Sequence, residues 1–365
     1  MSRIDLQKDG NSLPTDQVEL QIGPSKPSLQ HPMKLTTTID GERIVGMRVD
    51  LGYTHSGFEK AAESLSYNEL HKLVDGLNPS IAPTHSLTYI GCLEKLAGIV
   101  PDERSQYERM TLLELARIAS HTHSLNYIAS LLEIHPYSRD LSSRLKILRD
   151  SLADHFSFTG ISDEGFEILE DILILTDDLI DIAYKLTASG GILYRRLCGK
   201  GAIEAERALD MGWSGPNLRA SGINYDLRKH SDLWAYYKID FDVPIRKNGD
   251  SFDRCSIRVS EMEQSRSIIE QCLKALDKLP KTEKAEGKVP QPKPESQAYF
   301  SLEAPEGELG YLIASDKSDK PRRLHIRPPG LAAAYALSRV LHDTRLENLA
   351  PVLASLNIGG KELER

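Results

Sequence analysis

Four cysteines, Cys92, Cys198, Cys255 and Cys272, supply every thiol of the chain, and no two of them stand as a C-x-x-C pair. A zinc or iron-sulfur site built by one chain needs two thiolates on one turn, so neither is expected here, and four reduced, mostly buried thiols are. His121 and His123 form a His-x-His pair on a segment with helical spacing; two residues apart on a helix they face different ways, which argues against a shared metal. No glycine loop for nucleotide phosphates and no nucleophilic triad is recognisable. What remains is a set of titratable residues beside tight turns. Glu59 is either a carboxylate held in an apolar pocket with a raised pKa, able to relay protons, or a helix N-terminal acid paired with a nearby Arg or Lys. His85 is a hydrogen-bonded core residue or a ligand. His55 sits in a turn made by Gly52 and Gly57 and there packs or binds. Arg327, just before Pro328-Pro329, stands at a strand end. Arg219, Asp226 and Arg228 are expected to form a buried ion-pair network, with contact to a partner as the alternative.

These residues must be positioned by the elements around them. Residues 33 to 51 alternate as strands, and Asp40-Gly41 between the two runs is a hairpin signal. From about 58 to 275 the spacing is helical. Met110, Leu113, Ala116, Ile118, Leu125, Ile128 and Leu131 mark one helix across 106 to 133. Ile168, Ile172, Leu175, Leu179 and Ile182 mark a second across 166 to 186, with Asp171, Asp177, Asp178 and Asp181 on its opposite face. Met262, Ile269, Cys272, Leu273 and Leu276 mark a third across 259 to 276. Strands are expected at 299–303, 309–315 and 323–327, with helices at 331–342 and 346–356. The resulting division is a polar arm at 1–21, a β element at 22–57, a helical bundle at 58–280, a Lys-, Glu- and Pro-rich linker at 281–297, and a C-terminal β/helical unit at 298–365. The fold class is α+β: a central helical bundle flanked by two small β units.

Composition narrows the function. A formal net charge of −8 without a Lys/Arg stripe argues against nucleic acid. The apolar run Ile172 to Leu175 is broken by Asp177 and Asp178, far short of the about 20 residues a membrane span requires. Residues 1 to 21 have no apolar h-region, so no secretory signal is expected.

Several segments resemble, in order, the D subunit of respiratory complex I and the large subunits of group 4 membrane-bound nickel-iron hydrogenases. They are Ile22-Gly23-Pro24 with Lys26-Pro27 and Gln30-His31-Pro32; Leu51 to Lys60; His85 to Tyr89 running into Leu93-Glu94-Lys95-Leu96-Ala97-Gly98; and Trp213-Ser214-Gly215-Pro216-Asn217-Leu218-Arg219-Ala220-Ser221-Gly222 with Tyr225 to Lys229. Phe241-Asp242-Val243-Pro244, Gly249-Asp250, Asp253-Arg254, Gly307-Glu308-Leu309-Gly310 and Ile326 to Gly330 follow, and Leu356-Asn357 leads to the tail Glu364-Arg365. The likeness runs from residue 22 to the last, and the 213–229 block is its most specific part.

That resemblance implies a hydrogenase-like large subunit in the peripheral arm of a membrane oxidoreductase, on the cytoplasmic side, with a donor such as NADH or ferredoxin. The hydrogenases hold nickel and iron on two C-x-x-C pairs; the matching positions here are Asn78 and Ile81, and near Gly359 and Glu362, so the centre has no ligands. In complex I the corresponding cavity reduces quinone beside a [4Fe-4S] cluster of a small partner subunit, using a His and a Tyr. The His position falls at Gln30, with His31 next to it, and the Tyr position at Pro79. The implied site is therefore His31, His85 and Glu59 as catalytic groups, with Lys26, Gln30, His55, Asn78, Pro79 and Arg327 lining the cavity. No cofactor is expected on this chain itself, and a chain alone is expected to be inactive. The implied partners are the iron-sulfur subunit, a C-type subunit and membrane-arm subunits, with shifts of 33–50 and 52–60 coupling electron transfer to ion translocation. A non-catalytic scaffold with a decayed cavity is the alternative.

Overall fold

The computed structural model describes residues 16–26, 29–281 and 289–365. Most of the expected polar arm and the middle of the expected linker, 282–288, lie outside the described residues. The chain opens on an antiparallel sheet of β1 (Gln17–Ile22), β2 (Lys34–Asp40) and β3 (Arg43–Asp50). The arm expected to run to residue 21 is thus corrected at its end, where alternating Val18, Leu20 and Ile22 pair with Ile39, Thr37 and Leu35. The hairpin expected at Asp40-Gly41 is present, with Gly41 at φ +58° in a two-residue turn.

A helical region follows: α1 (Phe58–Ala62), α2 (Tyr67–Val74), α3 (Ala82–Ala97), α4 (Glu103–Leu131) and α5 (His135–His155). The two-residue strands β4 (Phe156–Ser157) and β5 (Gly160–Ile161) pair in a short hairpin. Then come α6 (Asp163–Glu167), α7 (Leu169–Leu186), α8 (Ile192–Leu197), α9 (Ala205–Asp210), α10 (Gly215–Ala220), α11 (Leu227–His230) and α12 (Ser251–Leu276). The single helix expected over 166–186 is two, broken at Ile168, where φ −93° and ψ 0° leave the helical well. The four aspartates on its far side are exposed, as their spacing predicts.

α4 is the axis of the bundle. Every residue from Tyr107 to Thr122 is buried, including Glu108, Arg109, Glu114, Arg117 and His121. It is capped by Asp102, which accepts from Ser105 N at 3.1 Å, and α12 packs along it, capped by Asp250 accepting from Asp253 N at 2.8 Å. Met110, Leu113, Leu125 and Ile128 of α4 share one core with Met262, Ile269 and Cys272 of α12.

The C-terminal unit is the antiparallel sheet β6 (Gln297–Ala304), β7 (Gly307–Ser315) and β8 (Pro321–Arg327), then α13 (Leu331–Tyr335), α14 (Leu337–Val340) and α15 (Leu349–Leu356). The expected helix at 331–342 is two short pieces. The sheet packs on α2 and α3 through Tyr89, Leu93, Tyr311 and Ile326. The two ends of the chain are joined: Leu35 and Ile44 of the first sheet share a core with Leu337, Val352 and Leu356, and Ile44 N donates to Thr344 O at 3.0 Å. The specific 213–222 block lies against the last sheet's first turn. Gly215 has φ +64°, and a Cβ there would come within 2.5 Å of Gly307 Cα, so backbone meets backbone and no side chain fits. No described helix is long and apolar enough to cross a membrane.

Candidate functional site

The last nine residues fold back into the molecule, and three side chains of this tail organise three neighbouring clusters. Glu362, fully buried, accepts from Asn78 Nδ2 at 2.9 Å, and its second oxygen lies 2.8 Å from His85 Nε2. Glu364 holds His31 Nε2 at 2.9 Å, Thr54 Oγ1 at 2.8 Å and the Thr54 backbone N–H, while its own carbonyl lies 2.7 Å from His55 Nδ1. Arg365 Nε donates to Glu59 at 3.0 Å. The tail approaches this closely because Gly360, at φ +87°, has no Cβ: one would sit 2.7 Å from Asn78 Cβ and Cγ.

The first cluster lies where the resemblance places the hydrogenase ligand positions. Positions 78 and 362, from opposite ends of the chain, do meet, but as amide and carboxylate. Ile81 is buried apolar core, and Gly359 has no side chain. Oxygen and amide groups with one alkyl side chain do not suit a soft metal centre. The free thiols do not rescue it: Cys92 is buried between Ala298 O and Tyr311 O, each 3.4 Å away.

The cluster also contains Glu306, in the two-residue turn between β6 and β7. Asn78 Nδ2 donates to Glu306 Oε2 at 3.2 Å, Ser80 Oγ lies 3.0 Å from Glu306 Oε1, and Asn357 Nδ2 donates to the same oxygen at 3.2 Å. Gln30 Nε2 donates to Asn357 Oδ1 at 3.2 Å, which ties the early loop into the network. On the far side His85 Nδ1 lies 2.8 Å from the Tyr311 hydroxyl. Burial, and then the neighbouring Glu362 carboxylate, push the Glu306 carboxyl up to about 8.

Gln30, Asn78 and His85 are thus brought together, while His31 and His55 meet on the neighbouring Glu364. Burial works to raise the Glu364 pKa, but the Gly52 and Thr54 backbone N–H groups together with His31 override it and hold it at about 2. Glu59 is a third centre. It accepts from Ile326 N at 2.9 Å, Arg323 Nη2 at 3.1 Å and Arg365 Nε at 3.0 Å, with His325 Nδ1 at 3.1 Å. Burial alone would raise its pKa, yet the Ile326 N–H, His325 and Arg365 lower it. Of the two readings of Glu59, the structure carries the paired one: the acid meets cationic partners and its pKa falls rather than rises. Arg327 is half exposed, paired with Glu308, and lines a separate cavity of about 440 Å3 with His325 and Arg365 of the Glu59 cluster. Lys26 lies in the early loop, where its carbonyl accepts from Leu29 N at 3.0 Å.

Pro79 opens on a different feature. A cavity of about 410 Å3 lies between α3, α4 and α5, lined by His71, Asp75, Pro79, Ser80, Leu112 and Phe158. Its wall is mostly apolar, and Ser80 is shared between this cavity and the carboxylate cluster. Burial raises the pKa of Asp75, against the hydrogen bonds it accepts from Ser86 N and Oγ.

Sequence reasoning missed Glu306, Ser80 and Tyr311, and gave Glu362 and Glu364 no role in the site although it placed both in the tail. The acidic tail itself was a signal: Glu362-Leu363-Glu364 puts two carboxylates around a core leucine. Nothing in the local pattern marks Glu306, a charged residue in a hairpin turn. The expected buried ion pairs are present and extend beyond the three residues named. Arg219 binds Glu261 and Glu303, each at 2.7 Å, and Arg228 binds Asp226 at 2.6 Å and Glu114 at 3.0 Å, all fully buried. His121 belongs to that network, 2.8 Å from Glu261; among the described residues no three His, Cys, Asp or Glu side chains are placed to hold one metal ion.

Residues 159–293 and 288–365 match the model of the family described as respiratory-chain NADH dehydrogenase, 49 kDa subunit. The chain is 34% identical to the D subunit of NADH-quinone oxidoreductase from Carboxydothermus hydrogenoformans, covering 95% of this chain and 98% of that protein. It is 35% identical to the D subunit from a Dehalococcoides mccartyi strain, covering 97% and 100%. A chain in the solved structure of the membrane-bound sulfane sulfur reductase, an archaeal respiratory membrane complex, superposes with a TM-score of 0.87 at 26% identity, over 97% of this chain and 100% of that one. The helical bundle with its flanking sheets is the fold of that family, and the chain belongs to the 49 kDa subunit family of respiratory-chain NADH dehydrogenases.

Proposed function

We propose that this chain is a peripheral-arm subunit of a complex I-like membrane oxidoreductase, forming with a small iron-sulfur partner the cavity where electrons pass to quinone or a related two-electron acceptor, coupled to ion translocation. The partner's [4Fe-4S] cluster would supply the electrons; this chain supplies the pocket and the protons. The observation that supports the reading is the junction at Asn78 and Glu362, where both ends of the chain build a polar cluster against an apolar cavity walled by Pro79 and Ser80. A pocket that is apolar with a few convergent polar groups suits an acceptor with a flat ring and an apolar tail.

Roles follow from the bonds. His31 and Gln30 anchor the early loop on the tail, His55 and Glu59 fix the tail's last two residues, and His85 sets the orientation of Glu362. C-type and membrane-arm subunits would complete the complex on the cytoplasmic side of the membrane. A second reading, a scaffold whose cavity no longer reacts, is favoured by one observation: Pro79 offers no hydrogen-bond donor where the relatives are expected to use one. Purification of the intact complex, followed by cluster spectroscopy and reduction of a short-chain quinone, separates the two. Acceptor-dependent oxidation of the cluster supports the catalytic reading. A complex with an intact cluster and no such oxidation supports the scaffold, and a complex without an iron-sulfur partner overturns both.

A further inference from the structure

Two buried carboxylates face each other through Asn78, and neither is paired with a lysine or arginine among the described residues. Glu306 is 5% exposed and Glu362 0%. Among the described residues, the ion pair of Glu362 is with His85, and no lysine or arginine forms one with either acid. The Arg258 guanidinium acts on Glu306 only from beyond ion-pair distance, and its Nε, buried, has no hydrogen-bond partner. Glu362 has the His85 imidazole beside it, whereas Glu306 meets no cation, and a buried carboxyl next to another carboxylate favours its protonated form.

The hydrogen-bond pattern independently calls for a proton on Glu306. The Ser80 hydroxyl lies 2.6 Å from Asn78 Oδ1 and 3.0 Å from Glu306 Oε1. A hydroxyl carries one hydrogen. Asn78 places its NH2 group against the two acids, so its Oδ1 can only accept, and it takes the Ser80 hydrogen at the shorter distance. The second contact is then completed by a hydrogen on Glu306, donated to Ser80 Oγ. Ser80 also lines the adjoining cavity.

We infer that Glu306 holds a proton beside the Glu362 carboxyl group, and that it delivers this proton through the Ser80 hydroxyl to an acceptor reduced in the adjoining cavity. The delivery rests on the acceptor cavity proposed above; the proton site does not. Electrons reach a quinone-class carbonyl from the partner's iron-sulfur cluster. The carbonyl oxygen takes the Ser80 hydrogen as the hydroxyl turns toward it, and Ser80 takes the hydrogen of Glu306. One O–H bond breaks on the acid, one forms on the acceptor, and Glu306 is left a carboxylate that reloads from solvent. This accounts for one of the two protons of a two-electron reduction. The groups that set the titration of Glu306 are Glu362 on the tail and Arg258 on α12, with the Ser80 and Asn78 hydrogen bonds; His85 on α3 and Tyr311 on β7 stand behind Glu362, and Asp75, His71 and Arg149 line the cavity side.

The test uses the assembled complex carrying wild-type chain, Glu306→Gln, Glu306→Asp or Ser80→Ala. Infrared difference spectra across a pH titration read the protonated carboxyl band, and rapid mixing of the reduced complex with a short-chain quinone reads acceptor reduction. We expect a carboxyl band that titrates near pH 8 in the wild type and is absent from Glu306→Gln. Acceptor reduction should fall above the same pH, slow about a hundredfold in Glu306→Gln and Ser80→Ala, and survive with a shifted pH profile in Glu306→Asp. Co-purification of the partner subunits excludes misfolding as the cause; where Glu306→Gln fails to assemble, Ser80→Ala and Glu306→Asp carry the same comparison. A band that persists in Glu306→Gln or moves in neither Glu306 variant, or no band at neutral pH, overturns the proton site. The expected band with unchanged rates in every variant overturns the delivery and leaves the acceptor cavity standing. A wild-type complex that binds the quinone but never reduces it removes the cavity reading and the delivery together, while the band still decides the proton site.

Discussion

Glu303 and Glu306 lie three residues apart at the end of β6, both buried, one against an arginine and one without. Glu303 belongs to a cluster in which Arg219, Arg228 and Arg117 meet Glu114, Asp226 and Glu261. There burial opposes ionisation, and at two of the acids the arginines outweigh it: the Arg219 guanidinium holds Glu261 far below the usual carboxylate range, and Arg228 does the same to Asp226. Glu306 has no arginine in contact, so burial and the neighbouring Glu362 win. The difference teaches what each region can do. A matched cluster locks charge in place and ties α4, α10, α11, α12 and β6 together. An acid without an arginine beside a second carboxylate keeps its proton, which suits it to a site where electrons arrive. Glu303 itself shows how narrow the balance is: burial raises its pKa although Arg219 pulls the other way.

The comparison can be broken most severely at its matched end. Arg219→Leu strips the cation from Glu261, Glu303 and Asp226 and leaves buried carboxylates without a partner, which costs about 3–5 kcal/mol; thermal unfolding of the purified chain should show it, and a melting temperature unchanged by the substitution would mean that the arginines do not compensate the cluster. The unmatched end is sharpened by pH. Glu306 keeps its proton up to about 8 when folded and loses it near 4.5 when unfolded. Between those values the folded state binds the extra proton, so this group's contribution to stability is full below pH 4.5 and declines as the pH rises to about 8. Glu306→Gln should flatten that decline, read as melting temperature against pH, and an identical slope in both proteins would contradict the assignment. The control is the exposed pair Arg43–Asp343, 2.9 Å apart with both side chains more than half exposed. Arg43→Ala should shift stability by about 0.5 kcal/mol or less and do so only at low salt, as surface pairs do; a larger loss would show that exposure is not what separates weak pairs from strong ones here.

Much of the architecture is legible without the structure. Apolar spacing locates α4, α7 and α12, because a helix buries one stripe and shows it in the residues. Asp40-Gly41 locates the first hairpin, because a two-residue turn demands those residue types. The same spacing makes 166–186 a continuous helix, because periodicity does not register a local kink at Ile168. The site is legible only in part. Resemblance places Gln30, Asn78 and His85 in one cavity, and they do share one network. The proton that an apolar pocket would give Glu59 is denied first by the Ile326 N–H, 267 residues away in sequence, and then by His325 and Arg365.

Residue types alone decided that the chain carries no thiolate set for a nickel-iron centre, since a missing ligand is missing in any conformation. They also decided the order of its elements, because period and turn chemistry are local. Only the tertiary structure decided the electrostatics. Which carboxylate meets an arginine and which meets another carboxylate depends on contacts between distant segments, and a pKa follows from that environment rather than from the residue itself. The missing thiolates and the buried acids thus meet at one place, where Asn78 and Glu362 stand beside the unbalanced Glu306.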